Sequence, residues 1–463
     1  MKTSRRTISL HPLAACLALA FGAPDAGAVP HATFVVDNCL DSGPGSLRQA
    51  VIDDVSGEPI DLTGLSCSLI TLTSGRIEVP RAQLIRGPGS GLLTIDGNGN
   101  DRVFNQNGAF PLALYGMTVQ NGYTNTFGGG CVYSSGSLQL NDTVVRDCHV
   151  FDIASSGTYE GGGVRVHDDF VAIRSSIVDN EIYSTLGIAI GGGAVVGGNA
   201  ILDHSTVSGN VVSNGSGNVT SVGGIDVTGQ LFMMYSTISD NLVQGLPATP
   251  GSIGGARAAG GASITNSTIS GNSADGGVGG LHLYGSDATP VFIAESTISG
   301  NTSRAIGGMY ARGTTTIRNS TIAFNGESAS TNGGGLRVAY ALAEIDSTII
   351  AANTSAGGEA QNVGLGISGG ITGTHDLIGS SPSVLLPSDN IGGDPHLLPL
   401  ADNGGPTRTH ALRPGSAAID AGDDGGDTVD QRGTGFPRVV GDAADIGAFE
   451  GVDADSIFFD GFE

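Results

Sequence analysis

The residues of this chain that could do chemistry recur at fixed places. Gly-Gly pairs are each followed by a short alternating stretch: GGCVY (129–133), GGVRV (162–166), GGAVV (192–196), GGIDV (223–227), GGLHL (279–283), GGMYA (307–311) and GGLRV (334–338). The residue between the two apolar positions changes from copy to copy, as Arg165, Asp226, His282, Tyr310 and Arg337, and Arg257 falls on the same row. Such a row could bind a polar polymer, or cleave one if its protonation states were tuned. A glycosidase needs two carboxylates about 5–9.5 Å apart. The densest candidate in the repeat, His167-Asp168-Asp169, directly follows the core-facing Val166 and reads as a solvated turn. A lyase needs a base, often Lys or Arg, beside acids that hold calcium against an anionic sugar, and Lys2 is the only lysine. Asp420, Asp423, Asp424, Asp427 and Asp430 offer oxygen ligands of the kind calcium takes, as a structural ion. They fit no EF-hand loop, DGNGND (96–101) lacks that loop's length and its final Glu, and the Asp-rich segment is read first as a structural cap, with no cofactor expected. Trp is absent, although nine Tyr remain. No catalytic set is assigned. The row Arg165, Asp226, Arg257, His282, Tyr310 and Arg337 is expected to be an exposed, solvated binding face whose groups keep near-normal pKa values. The alternative is a polysaccharide lyase or glycoside hydrolase, with insertions at 149–160, 181–190 and 242–253 building a cleft over that face.

These residues must be positioned by a repeat. Heptads read RSSIVDN (174–180), HSTVSGN (204–210), YSTISDN (235–241), NSTISGN (266–272), ESTISGN (295–301) and NSTIAFN (319–325). DSTIIAAN (346–353) has one extra residue, NDTVVRDC (141–148) is a degenerate copy, and GMTVQN (116–121) an earlier one. A period of this order means a solenoid. Period-two alternation after the glycines means strand, with one face in the core. The coil is too short for a βαβ unit, so the strands must pair in parallel with those of neighbouring coils, about 4.8 Å away. Ile177, Val207, Ile238, Ile269, Ile298 and Ile322 should form an apolar spine. Asn180, Asn210, Asn241, Asn272, Asn301 and Asn325 should stack at one turn, as architecture, since asparagine tolerates the left-handed conformation and stacked amides bond to one another.

The ends differ from the body. Lys2, Arg5 and Arg6, the apolar stretch 13–21 and Ala26-Gly27-Ala28 form the pattern of a secretory signal peptide, cut after Ala28. A rival reading takes Leu13-Ala14-Ala15-Cys16 as a lipoprotein box. Cleavage after Ala28 removes three positive charges and one negative, so the mature chain is two units more negative than the formal −24. That field disfavours nucleic acid and anionic membranes. It suits cations or neutral glycans and other cell-surface components as partners, with the chain a monomer. No other segment is long and apolar enough to cross a bilayer as a helix. Cys39, Cys67, Cys131 and Cys148 remain, an even number in an exported chain; of three pairings, Cys39–Cys67 and Cys131–Cys148 is the expected one. DSGPGSLRQAVIDD (41–54) offers a turn, an N-cap at Ser46 and a short amphipathic helix to cover the first coil. From about residue 375 the repeat gives way to a Pro-, Gly- and Asp-rich cap.

These segments also carry family resemblances. TIDGNGNDRVF (94–104), LYGMTVQNG (114–122) and DSGPGSLRQA (41–50) are similar to the N-terminal part of CSLREA-type bacterial β-helix proteins. The Gly-Gly strands and Asn-ended heptads resemble polymorphic outer-membrane protein repeats. DNGGPTRTHALRPGSAAIDAGDD (402–424), DQRG (430–433) and DIGAFE (445–450) resemble the choice-of-anchor Q domain. The resemblance implies an all-β, right-handed parallel β-helix exported to the medium or the outer surface of a Gram-negative cell, and brings no general catalytic set. The resulting division is a signal peptide (1–28), an N-terminal cap with the first coils (29–110), the repeats (111–374), a choice-of-anchor Q-like cap (375–450) and a tail (451–463). In that tail IFFDGFE (457–463) resembles a terminal sorting tag, or serves as a hook docking on the cap. Autotransporters of the polymorphic outer-membrane class end in a membrane barrel of long alternating strands, and no such segment precedes Glu463.

Overall fold

A computed structural model of the chain describes residues 33–152, 156–214, 220–245, 251–329, 332–358 and 360–451. The signal-peptide and lipoprotein readings, and the 457–463 tag, lie outside the described residues.

Each coil is a run of short strands joined by tight corners. One coil runs through Val164–Val166, Phe170–Ile173, Ser176–Val178 and Glu181–Ser184. Equivalent strands of successive coils pair in parallel, giving sheets of eleven, thirteen, twelve and eight strands in that order around the coil. The molecule is thus a parallel β-helix. Its interior is one continuous apolar column that runs from Val36 to Ile378. Ile177, Val207, Ile238, Ile269, Ile298 and Ile322 are directly paired from coil to coil and fully buried within it.

Buried polar ladders hold the corners. Asn180 Nδ2 donates to Asn210 Oδ1 at 2.9 Å, and the same bond recurs down to Asn325. It continues through Asn353 and ends on Asn362. The backbone N–H of each ladder Asn donates to the same oxygen of the next. These asparagines do not themselves take the left-handed conformation, which corrects the expectation. The residue before each of them does: Asp179, Gly209, Asp240, Gly271, Gly300 and Phe324 have φ between 56° and 67°. That residue turns the corner outward, and the Asn side chain points inward, where its amide satisfies backbone groups that water cannot reach. A second ladder runs through the heptads' first serines. Ser175 N–H donates to Ser205 Oγ at 3.1 Å, and the pattern repeats through Ser236, Ser267, Ser296 and Ser320. The residue before each serine is again left-handed, with φ of 45° to 49° from Arg174 to Asn319.

The Gly-Gly pairs are explained by the ladder. A Cβ at Gly163 would stand 2.9 Å from the Asn180 amide, and one at Gly335 would stand 2.6 Å from Asn353. The degenerate coil solves the same contact differently. Val132 pairs with Val164, so Cys131 occupies the second-glycine position, one residue out of register with the sequence reading. Cys148 takes the Asn position, where its N–H donates to Asn180 Oδ1 at 3.1 Å. The two cysteines are joined, with Cα atoms 5.4 Å apart. Cys39 and Cys67 form the other disulfide, at 6.4 Å.

Helix α1 (Leu47–Asp53) covers the first coil, with Ser46 accepting from the Gln49 N–H and Leu47, Ala50 and Val51 buried. The C-terminal segment closes the other end only at its start, where Val384 and Leu386 pack on the core column. Beyond that it turns back along the flank, a correction to the expected end cap. Thr268 donates to Arg408 O at 2.7 Å, Thr297 to Gln431 Oε1 at 2.6 Å, and Asn266 to Asp430 O at 3.1 Å. The physical reason is the outer row of the twelve-stranded sheet. In these coils it presents Thr268, Thr297, Thr321 and Ile349, which the returning segment buries.

Candidate ligand-binding face

The variable residues after the Gly-Gly pairs form one unbroken outward row on the eleven-stranded sheet. Its register runs Asn105, Tyr133, Arg165, Val195, Asp226, Arg257, His282, Tyr310, Arg337 and Gly364. Alternation puts each of these side chains outside and its two neighbours in the core. The face is not the flat, solvated surface expected. Asp226 is buried, and Arg165, Arg257, His282, Tyr310 and Arg337 are half-buried. The cause lies just before each glycine pair. Val222, Ile253, Val278 and Ile306 bridge in parallel and stack into an apolar wall beside the row, with Tyr310 packed against it. Wall and neighbouring rungs together exclude water.

Burial changes the chemistry of the row. Arg257 grips Asp226 in a two-point bond, Nε donating to Oδ1 at 2.6 Å and Nη2 to Oδ2 at 2.9 Å. Burial nevertheless pushes the Asp226 carboxyl above its usual range, against the pull of Arg257. Arg165 is set apart from this pair by Val195 and bonds Glu160 at 2.6 Å. His282 stacks between Tyr284 and Tyr310, with ring centroids at 4.5 and 4.8 Å. Its burial, reinforced by Arg312 and Arg257, brings its pKa down to about 3, so the ring is neutral at ordinary pH. The expectation of near-normal pKa values fails at both Asp226 and His282.

The C-terminal third of the face is the most elaborate. Its strands are four residues long, Leu281–Tyr284, Met309–Arg312 and Leu336–Ala339, so a second outward row appears beside the first. Tyr284 pairs with Arg312 in that row. The Arg312 guanidinium carbon lies 4.9 Å from the Tyr284 ring centroid, 4.7 Å from Tyr340 and 5.9 Å from Tyr310. Arg337 lies 6.0 Å from Tyr310. The sequence reading missed Tyr284, Arg312 and Tyr340, although LHLY and MYAR carry the alternation one residue further than the earlier copies. The structure thus brings His282, Tyr310 and Arg337 together, joins Asp226 to Arg257, and leaves Arg165 apart.

Other candidates are already engaged. The segment 167–169 is a largely exposed turn whose Asp169 accepts from the Asn199 N–H at 2.8 Å. In the tail, Asp420, Asp423 and Asp424 accept backbone N–H groups, Asp427 pairs with Arg318, and Asp430 with Arg432. Among the described residues no group of three or more His, Cys, Asp or Glu could hold a metal ion. The described parts of the insertions 149–160 and 181–190 add strands, His149–Asp152, Thr158–Glu160, Glu181–Ser184 and Ile188–Ile190, while 153–155 lies outside the described residues. In the third, Leu242–Gly245 is likewise a strand and 246–250 lies outside the described residues.

No family model matches the chain. No curated protein matches it. Among solved structures it is similar to the PL6 family alginate lyase AlyGC, at 13% identity and a TM-score of 0.35. The match covers 82% of this chain and 56% of that one, so the chain spans little more than half of the enzyme's length. No helix of the described residues is long and apolar enough to cross a membrane.

Proposed function

We propose that this chain is an exported β-helix scaffold that binds a glycan along the eleven-stranded face and does not cleave it. The carrying observation is the ring platform of His282, Tyr284 and Tyr310, stacked over two coils beside an apolar wall. Stacked rings on rigid, hydrogen-bonded strands present flat apolar area at little entropic cost; His282 Nε2 is buried, so the hydroxyls of Tyr284 and Tyr310 are the polar edges offered to a sugar. The carboxylates in and beside the row argue for binding over hydrolysis. Glu160 and Asp226 are each bonded to an arginine at 2.6 Å, so neither is free to act as an acid, base or nucleophile on a sugar. Export and a surface location rest on the basic, apolar and small-residue pattern of the N-terminus and on the likeness to CSLREA-type and choice-of-anchor Q sequences. The test is a glycan array probed with and without calcium. Binding by the mature protein that Tyr310→Ala abolishes supports the reading. Absence of binding to any glycan overturns it.

A second reading has a specific observation behind it. His282, Tyr284, Tyr310 and Arg312 gather in one place a neutral imidazole, phenols and a cation, the group types a metal-independent lyase would use as base, acid and charge neutraliser. Incubation with pectate, alginate, xylan and glucan, followed for unsaturated products and reducing ends, separates the two. Sustained product release lost in Tyr310→Phe would establish the lyase and sink the non-catalytic scaffold.

A further inference from the structure

The chain is acidic, with 44 Asp and Glu against 20 Lys and Arg. In such a chain an arginine readily finds a carboxylate, and on or near this face Arg165 and Arg257 each do so at 2.6 Å. Elsewhere Arg318 and Arg432 are paired in the same way. Arg312 and Arg337 differ. Among the described residues neither has a carboxylate within ion-pair distance, and both lie against tyrosine rings. The Arg312 side-chain N–H groups also have no protein acceptor among the described residues, and they are not sealed from solvent. Tyr340, which flanks Arg312, is 50% exposed. A guanidinium packed on rings with its donors unused is pre-organised for a planar, two-oxygen anion. His282, beside it, is neutral, so the positive charge at this place belongs to the two arginines alone. The aromatic surroundings suit a sugar ring, and the open donors suit a carboxylate on it.

We infer that Arg312 and Arg337, framed by Tyr284, Tyr310 and Tyr340, form a subsite for a uronate unit, a sugar carrying a carboxylate, within the glycan bound on this face. The inference rests on the glycan-binding reading and narrows it from neutral or unspecified glycans to carboxylated ones. It also runs against the overall negative charge, because a short-range, geometrically matched contact outweighs a diffuse field that salt screens beyond about 8–10 Å.

The test uses the full mature chain in chelator-containing buffer, so that calcium cannot bridge acids to acids. Binding of tetramers of galacturonate, mannuronate and glucuronate is compared with their carboxyl-reduced counterparts by calorimetry. We expect at least one uronate tetramer to bind about tenfold or more tighter than its neutral counterpart, the gain of one charge-assisted contact. Arg312→Gln should remove that preference, so that the charged and neutral tetramers bind it with similar affinity. Arg312→Lys should keep only part of it, since an ammonium has the charge without the planar fork. If the thermal melt shows Arg312→Gln to be misfolded, Arg337→Gln serves as the same test. Equal binding of charged and neutral tetramers, or a preference that survives both Gln variants, overturns the uronate subsite and leaves the glycan-binding reading standing. Binding of neither class overturns both.

Discussion

At the residue scale the fold depends on side chains that satisfy the backbone from inside. Asn241 accepts from Asn210 Nδ2 and N–H, and donates to Asn272 Oδ1 and Val207 O. Its removal strands several fully buried groups at once. Asn241→Ala should therefore cost about 2–4 kcal/mol. Ser239→Ala, on the outer side of the same heptad, should change stability by no more than about 0.5 kcal/mol. Urea unfolding midpoints of the two variants check this, and similar midpoints would refute the ladder's energetic role. His282 makes a prediction of the same grain. Its folded pKa is down at about 3, against about 6.5 in the unfolded chain. Between those values the unfolded state binds a proton that the folded state refuses, so this group's contribution falls as pH drops from about 6.5 to about 3. His282→Phe keeps a ring and loses the titration. The difference between wild-type and variant melting temperatures should shift across that window, and a constant difference would show that His282 is not buried neutral. Asn241 was readable from its repeat; His282 was assigned correctly to the outer row but wrongly to water, because one row does not reveal the wall beside it.

At the scale of one coil, the disulfide and the ladder are alternative fastenings of the same contact. Cys131 and Cys148 stand where the other coils place Gly and Asn, and close a loop of 17 residues. Replacing both with Ala should cost about 3 kcal/mol. Replacing them with the repeat's own pair, Cys131→Gly with Cys148→Asn, should recover about 1–2 kcal/mol of that loss by extending the amide ladder one rung. Thermal melts of the two double variants under reducing-agent-free conditions decide it. If the Gly–Asn variant is no more stable than the Ala–Ala variant, the two fastenings are not equivalent. The pairing was legible only as one of three, since the two cysteines lie 17 residues apart within a single coil and no period joins them. The equivalence was not, since reading GGCVY with its glycines aligned hides a one-residue shift that only the Val132–Val164 register reveals.

At the scale of the whole molecule, the returning C-terminal segment is clamped to the flank by a buried charge. Arg438 is fully buried and lies 3.3 Å from Glu295 on the β-helix and 3.2 Å from Glu450 in the segment, and it donates to Asn319 Oδ1 at 3.1 Å. Removing the cation leaves two carboxylates buried without it, which typically costs about 3–5 kcal/mol. Arg438→Ala should detach the segment, and limited proteolysis should then cut within 382–450 much faster than in wild type. Arg408→Ala, at an exposed side chain, should cut at the wild-type rate. Equal rates for both variants would mean that the segment is held by its other contacts.

What the sequence by itself determined are the features that repeat: the coil, the apolar spine, the stacked asparagines and the row after the glycines. In a solenoid, sequence period is spatial neighbourhood, so such contacts can be read along the chain. The capping helix was legible as well, since Ser46 and the apolar pattern after it act locally. Tertiary structure alone decided what lies beside each row. The wall of Val222, Ile253, Val278 and Ile306 buries Asp226 and His282 and moves their protonation. The final segment crosses back to meet Asn266 from Asp430, 164 residues away, with no period to announce it. Those contacts depend on side-by-side packing of segments unrelated in sequence, and they set the exposure, charge and donor availability on which binding depends.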